Sequence, residues 1–326
     1  MYYKENKPMK VTVIGCGRWG STITWYLDSI GNTVTLYGRA TSPHMQQFMA
    51  DRTNDFLRLP ESITLTNDLD CVKDAEVIVI SVNSQGLQKV FDELAPYQLK
   101  NKIFILCMKG IEISTGRRLS QVAEDNLDPS NRIAVWLGPG HVKTLYKGVP
   151  TCMVIDSADE ETKRFLVDSF SSDLIRFYYG TDLIGNEIGG AAKNVMGIAA
   201  GMLDGVGKTQ MKGPLMSRGT YEVGKLIAAM GGNEMSAYGL CHLGDYEATL
   251  FSEHSHNRRF GEMFVKGEKF DKLAEGYYTA DAMVRLADKY HVELPITRAV
   301  YDILYRHADA AQTLDGLFRR SLKDEN

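Results

Sequence analysis

The 326-residue chain has little of several features that would class it quickly. Its formal net charge is only -4, so no basic excess points to nucleic acid or to an anionic membrane surface. No apolar run approaches the roughly 20 residues needed to span a bilayer. The opening residues, Met1 to Lys10, are polar and lack the apolar region of a signal peptide. Cysteine is scarce and odd in number: Cys16, Cys71, Cys107, Cys152 and Cys241 are scattered and never form C-x-x-C. Such cysteines read as small buried apolar residues in a reducing compartment. There is no internal repeat and no long linker. These absences leave a soluble, cytoplasmic globular protein of one large or two ordinary domains, without nucleic-acid or membrane partners.

What is present begins near the start of the chain. Val11 to Ile14 form an apolar, β-branched run that reads as a buried strand, followed by Gly15-Cys16-Gly17-Arg18-Trp19-Gly20. After it, Ile23, Tyr26, Leu27 and Ile30 recur at helical spacing. Strand, G-x-G-x-x-G and helix in that order form a dinucleotide-binding fingerprint. Gly15 permits the tight turn, Gly17 lets a pyrophosphate approach the backbone, and Gly20 lets helix and strand pack closely. The helix N-terminus offers N–H groups and partial positive charge to the phosphates. The second strand, Thr33 to Tyr37, leads into Gly38-Arg39-Ala40-Thr41-Ser42, with no acid to hold a ribose 2′-hydroxyl. Arg39 tilts the cofactor from NAD toward NADP, although a solvated surface arginine reads equally well.

Further apolar runs continue the alternation: Val77 to Val82, Lys102 to Cys107, Arg132 to Leu137, Thr151 to Asp156 and Ile175 to Tyr179, with an amphipathic helix over Glu160 to Ser171. This predicts a doubly wound, mostly parallel Rossmann-like α/β sheet. From about Thr181 the pattern turns helical, with a long buried helix over Gly185 to Leu203. Others follow over Ser217 to Met230, Glu262 to Phe264, Thr279 to Tyr290, Ile296 to His307 and Thr313 to Lys323. The predicted domains are 1–182, dinucleotide-binding, and 183–326, an all-helical substrate-binding and catalytic domain.

Hydride exchange between an alcohol and nicotinamide needs a group that moves the hydroxyl proton. Lys193 lies among Gly, Ala, Met and Val in Glu187-Ile-Gly-Gly-Ala-Ala-Lys193-Asn194. A buried cation there is costly unless it is used, whereas a snorkelling lysine would reach solvent. Lys109 follows a strand, where open α/β sheets place ligand contacts. A polar cluster, Gly244 to Gly261, offers an acid, hydroxyls, an amide and two adjacent arginines suited to an anionic substrate, or simply a polar helix end. His242, His254 and His256 near Asp245 and Glu247 match no standard ligand spacing, so no metal is expected.

Across nearly its whole length the chain resembles the bacterial NAD(P)-dependent glycerol-3-phosphate dehydrogenases. The resemblance rests on Gly15 to Gly20, Lys109 to Gly116, Gly138-Pro139, Glu187 to Asn194 and Asp204 to Gly207. It continues through Ser217-Arg218-Gly219, Leu243-Gly244-Asp245, Asn257 to Gly261, Ala274-Glu275-Gly276 and Val292 to Ile296. It implies that Lys193 is the proton donor and acceptor, acting with Lys109, Asn194 and Asp245. The substrate, dihydroxyacetone phosphate or glycerol 3-phosphate, would meet Lys109, Gly138, Lys193, Asp245, Thr249, Ser255, His256, Asn257 and Arg258. The cofactor would meet Gly15, Gly17, Arg18, Trp19, Gly20, Arg39, Lys109, Val142, His256, Leu273 and Glu275. A homodimer is compatible with the family. The chain departs from the family pattern at several positions: His256 stands for an arginine, Gly140 for a serine, Asn83 for a proline, and His242 and Tyr246 for glycine and leucine. Gly213-Pro214 falls where a helix carries an alanine pair. These departures keep two alternatives open: a diverged dehydrogenase of another small polyol or hydroxy compound, and a non-catalytic NAD(P)-binding sensor.

Overall fold

The computed structural model describes residues 7–319, and the chain divides into two compact units. The first runs to Met108 and resumes at Leu119–Leu183; the second joins Lys109–Arg118 to the chain from Ile184 onward. A split by sequence order at 182 leaves the 109–118 excursion in the first unit. It belongs to the second because Ile111 is buried in that unit's core and Arg118 pairs with buried Glu187.

In the first unit the order is β1 (Lys10–Ile14), α1 (Arg18–Ser29), β2 (Thr33–Tyr37), α2 (Pro43–Asp51), β3 (Thr64–Thr66), β4 (Val77–Ile80) and α3 (Leu87–Leu94). Then come β5 (Ile103–Leu106), α4 (Leu119–Asn126), β6 (Arg132–Leu137), α5 (Val142–Tyr146), β7 (Thr151–Asp156), α6 (Glu160–Phe170) and β8 (Ile175–Tyr179). The described strands form one sheet in the order β3-β2-β1-β4-β5-β6-β7-β8. Every neighbouring pair is parallel except β6 with β7. β1 lies between β2 and β4, so strand order reverses at its carboxyl end, the position where doubly wound sheets bind ligands. β4, Val-Ile-Val-Ile, is buried along its whole length, as a continuous apolar run predicts. The three residues of β3, Thr-Leu-Thr, are too few and too polar to announce a strand by period, and only pairing with β2 reveals it. The core gathers around Trp136, fully buried, which meets Trp19 and Phe177 edge-on at 6.3 and 4.8 Å between ring centroids.

The second unit is helical: α7 (Leu183–Gly205), α8 (Lys212–Ala229), α9 (His256–Val265), α10 (Glu275–Tyr290), α11 (Pro295–Arg306) and α12 (Ala310–Phe318), with a π-helical turn at Glu247–Phe251. α7 is buried on nearly every side, which makes it the centre of the unit. Glycines on both helices let α9 cross it at backbone distance: a Cβ on Gly201 of α7 would overlap the Arg258 carbonyl, and one on Gly261 of α9 the Ile198 carbonyl. α8 starts five residues earlier than periodicity suggests. Pro214 therefore sits in its first turn, where a missing N–H costs nothing, and interrupts no helix. The predicted end of the last helix, Lys323, lies outside the described residues. Among the described residues no helix is long and apolar enough to cross a membrane.

α11 begins without a side-chain cap of its own, because Leu294 holds the N-cap position. Buried Glu222 on α8 takes over, accepting from the Ile296 and Thr297 N–H groups at 2.8 and 2.9 Å and from the Thr297 hydroxyl at 2.7 Å. Glu222→Ala leaves these donors buried and unpaired, so it should lower unfolding stability by about 3 kcal/mol in urea denaturation, with Glu222→Gln losing less.

Candidate active site

β1 ends in a turn whose shape is imposed by sterics. Gly15 has φ +115°, and a Cβ there would overlap the Ser81 carbonyl; one on Gly20 would overlap the Gly15 carbonyl. Gly17 differs from both. It is the N-cap of α1 with an ordinary φ of -70°, no atom lies within 4 Å of where its Cβ would be, and no side chain caps the helix. The first turn of α1 carries no acid either. Open space above Gly17 and a helix N-terminus without a capping side chain fit a pyrophosphate.

Around this cradle, the Arg18 guanidinium lies over the Phe56 ring at 5.6 Å. Gly138, also at φ +115°, opens the turn after β6, and Val142 is the first residue of α5. Gly140 passes beneath the Trp19 indole, whose ring atoms would stand 2.8 and 2.9 Å from an added Cβ. The glycine found where the family carries serine is thus a packing partner of Trp19. Arg39 does not stand alone, because its guanidinium pairs with Glu93 of α3 at 2.9 Å.

In the second unit, one carboxylate collects two lysines. Asp245 Oδ2 accepts from Lys109 Nζ at 2.7 Å and from Lys193 Nζ, which also donates to Thr249 Oγ1 at 3.1 Å. Asp245 is 1% exposed and Lys193 8%, so Lys193 does not snorkel to solvent. Burial pushes the Lys193 ammonium down to about 8, the Asp245 carboxylate resists that shift, and the Lys109 charge reinforces it. The Thr249 hydroxyl donates to the Asp245 carbonyl at 2.7 Å, which aims its oxygen at Lys193 as an acceptor. The second Asp245 oxygen, Oδ1, is buried and finds no hydrogen-bond donor among the described residues.

A chain of amides holds this group in place. Gly276 N–H donates to Asn257 Oδ1 at 2.9 Å, Asn257 Nδ2 to Asn194 Oδ1 at 3.0 Å, and Asn194 Nδ2 to the Lys109 carbonyl at 3.0 Å. Asn194 and Asn257 therefore tie α10, α9 and α7 to the excursion that carries Lys109. Further along the excursion, Arg118 pairs with Glu187, less than two turns before Lys193 on α7. Arg258 is engaged with Asp204, Nε to Oδ2 at 2.7 Å, and Lys212 reaches the same oxygen at 2.7 Å. Burial pushes the Asp204 carboxyl up, but Lys212, Thr209 and Arg258 outweigh it and hold it below the usual carboxylate range. Ser255 is the N-cap of α9, accepting from the Arg258 N–H at 3.3 Å, and His256, its first residue, meets Phe270 edge-on. Leu273 is exposed and Glu275 opens α10.

Sequence reasoning gave no role to Glu187, Arg118, Lys212 or Asp204. Glu187 carries the same anomaly as Lys193, a charge on an apolar helix, and could have been found by it. His242, weighed above as a metal ligand, and Tyr246, noted as a departure, form a buried pair. His242 Nδ1 donates to the Gly189 carbonyl at 2.9 Å, and the Tyr246 hydroxyl donates to Nε2 at 2.6 Å. Burial drives the imidazole down to about 4, so it is neutral and both ring nitrogens are committed. Such a ring has no lone pair left for a metal.

A glycine-built nucleotide cradle and two lysines on one buried carboxylate define an NAD(P)-dependent dehydrogenase. Residues 10–163 match the family model for the NAD-dependent glycerol-3-phosphate dehydrogenase N-terminus, and residues 182–315 that for its C-terminus. The glycerol-3-phosphate dehydrogenase, NAD(P)+, of Prosthecochloris aestuarii is 35% identical, over 97% of this chain and 100% of its own. Its counterpart in Fusobacterium nucleatum is 33% identical, over 97% and 98%. The crystal structure of glycerol-3-phosphate dehydrogenase from Coxiella burnetii superposes with a TM-score of 0.89 at 27% identity, covering 96% of this chain and 99% of that one. The chain belongs to the NAD-dependent glycerol-3-phosphate dehydrogenase family.

The three glycines of the turn separate experimentally. Gly17→Ala should fold with an unchanged Tm and lose NADH and NADPH binding in fluorescence titration, because its Cβ fills only the open space. Gly20→Ala should lower Tm by itself, because its Cβ meets backbone.

Proposed function

We propose that the protein reduces dihydroxyacetone phosphate to sn-glycerol 3-phosphate, reversibly, with NADH or NADPH as the partner. The observation that carries this reading is the buried Lys193, brought down to about 8 while sharing Asp245 with Lys109. A group poised near neutrality can give a proton in one direction and take it in the other. The nucleotide, when bound, supplies the hydride for the ketone carbon. Lys193 donates its proton from Nζ to the ketone oxygen as negative charge builds there, and Thr249 holds Nζ in line. Lys109, positively charged beside the same carboxylate, stabilises that charge. The substrate's C1 hydroxyl donates to Asp245 Oδ1, filling the acceptor that otherwise lacks a donor. Lys193 then recovers its proton from solvent. A non-catalytic sensor has no use for such a proton-transfer pair.

The same reading takes Ser255, His256, Asn257 and Arg258 as the phosphate end of the substrate site, and Gly15 to Gly20, Arg39, Gly138, Val142, Leu273 and Glu275 as cofactor or substrate contacts. The domain roles follow, with nucleotide binding in the first unit and proton transfer in the second. For a soluble metabolite we place the activity in the cytoplasm, with a homodimer as the state that light scattering would test.

The direct test is oxidation of NADPH and of NADH with dihydroxyacetone phosphate against unphosphorylated dihydroxyacetone. A kcat/KM higher with the phosphorylated ketone supports the reading; equal values or no turnover refute it. Lys193→Ala should lower kcat about a thousandfold with nucleotide affinity retained. Reduction requires the protonated amine, so its kcat/KM should be level below about pH 8 and fall above it, and glycerol 3-phosphate oxidation should do the reverse. A limb that survives in Lys193→Ala would remove Lys193 from the chemistry.

A further inference from the structure

The end of β2 has no acidic residue, yet the folded chain puts one there. Arg39, two residues past β2, pairs with Glu93 Oε1 at 2.9 Å, 54 positions away in sequence. A second observation places the Glu93 charge at the same spot. Burial pushes the phenol of Tyr37, the last residue of β2, up, and the Glu93 carboxylate is the next largest cause, with Arg39 opposing it. Tyr37, Arg39 and Glu93 therefore share one electrostatic neighbourhood at the carboxyl end of β2. In this fold that position meets the adenosine ribose.

We infer that Glu93 supplies in space the ribose-binding acid that β2 lacks in sequence, and that Arg39 and Glu93 together set the choice between NAD and NADP. This rests on the proposed use of NAD(P). The pair is half-exposed, with side chains 47% and 32% accessible, so it is weakly held and readily exchanged. With NAD, the ribose 2′-hydroxyl donates to the Glu93 carboxylate, and the ion pair stays intact. With NADP, the 2′-phosphate takes the Arg39 guanidinium by charge-assisted hydrogen bonds and displaces Glu93, whose like charge opposes the phosphate. One residue attracts each nucleotide, and the acid also repels NADP. A site built this way accepts both cofactors and discriminates modestly between them. The polar neighbours are Gln46, whose amide donates to the Ala40 carbonyl, Asn67, which donates to the Gly38 carbonyl, and Ser42, which caps α2. None of these carries charge, and Asp68, the other acid acting on Tyr37, acts more weakly than Glu93 and Arg39, so the discrimination falls to the ion pair.

The test is direct binding, read by fluorescence titration of NADH and NADPH to the full-length protein at low salt, with Tm measured for each variant. Glu93→Gln should tighten NADPH about fivefold or more and weaken NADH about threefold, since it removes a repulsion from one and an acceptor from the other. Arg39→Gln should weaken NADPH at least about tenfold and leave NADH within about twofold. Raising KCl should weaken NADPH more than NADH in the wild type and erase that difference in Arg39→Gln. If Glu93→Gln leaves the ratio of the two dissociation constants unchanged, the pair is an ordinary surface salt bridge and the inference falls. If the wild-type protein binds neither nucleotide, the cofactor reading falls and takes this inference with it.

Discussion

One buried carboxylate oxygen holds two ammonium groups, and much of the second unit is arranged around that excess of positive charge. Asp245, Lys109 and Lys193 come from three distant parts of the chain and meet where solvent is nearly absent. Two cations on one anion leave the cluster short of negative charge, while burial makes every charge costly. The imbalance is relieved at Lys193, the more buried of the two lysines, whose proton is held loosely. The same imbalance that would destabilise an inert core leaves a lysine able to exchange its proton near neutral pH.

Holding such a cluster requires rigid supports on several sides. α7 provides the central one, because its Gly and Ala surface lets α9 cross at backbone distance. The amide chain from Gly276 through Asn257 and Asn194 to the Lys109 carbonyl joins three helices to the excursion from the first unit. The neutral His242 and its Tyr246 partner fasten the segment carrying Asp245 to α7, one turn before Lys193. Two other acids in this unit are matched with donors: buried Glu222 by two N–H groups and a hydroxyl, and Asp204 by two cations and Thr209. Asp245 Oδ1 stands apart from these acids in finding no donor among the described residues. An acceptor left open beside two ammonium groups suits a ligand hydroxyl.

The first unit works by different physics. Its cradle depends on what a missing Cβ allows, tight backbone contact at Gly15 and Gly20 and open space at Gly17, and on helix N–H groups that no side chain claims. Trp19 extends this logic, since the indole rests on Gly140 and leaves no room for a larger residue there. The cradle of the first unit is made mainly by backbone shape, the lysine cluster of the second mainly by side-chain charge.

That contrast sets how much the sequence alone determined. The nucleotide turn, the parallel sheet and the helical second half were legible because they are local: glycine spacing, β-branched runs and helical period act over a few residues. Lys193 was also legible, as a charge on an apolar helix, and the family resemblance rested on such short spaced segments. Only the tertiary structure decided which distant charges meet. It brought Lys109 out of the first unit, set Arg258 against Asp204, gave Arg39 an acid from α3, and paired His242 with Tyr246. It also assigned β3, whose three residues have no period of their own, and showed Gly140 to be matched to Trp19. Local sequence specifies conformation through sterics and propensity. Long-range electrostatics depend on distances that exist only once the chain has packed.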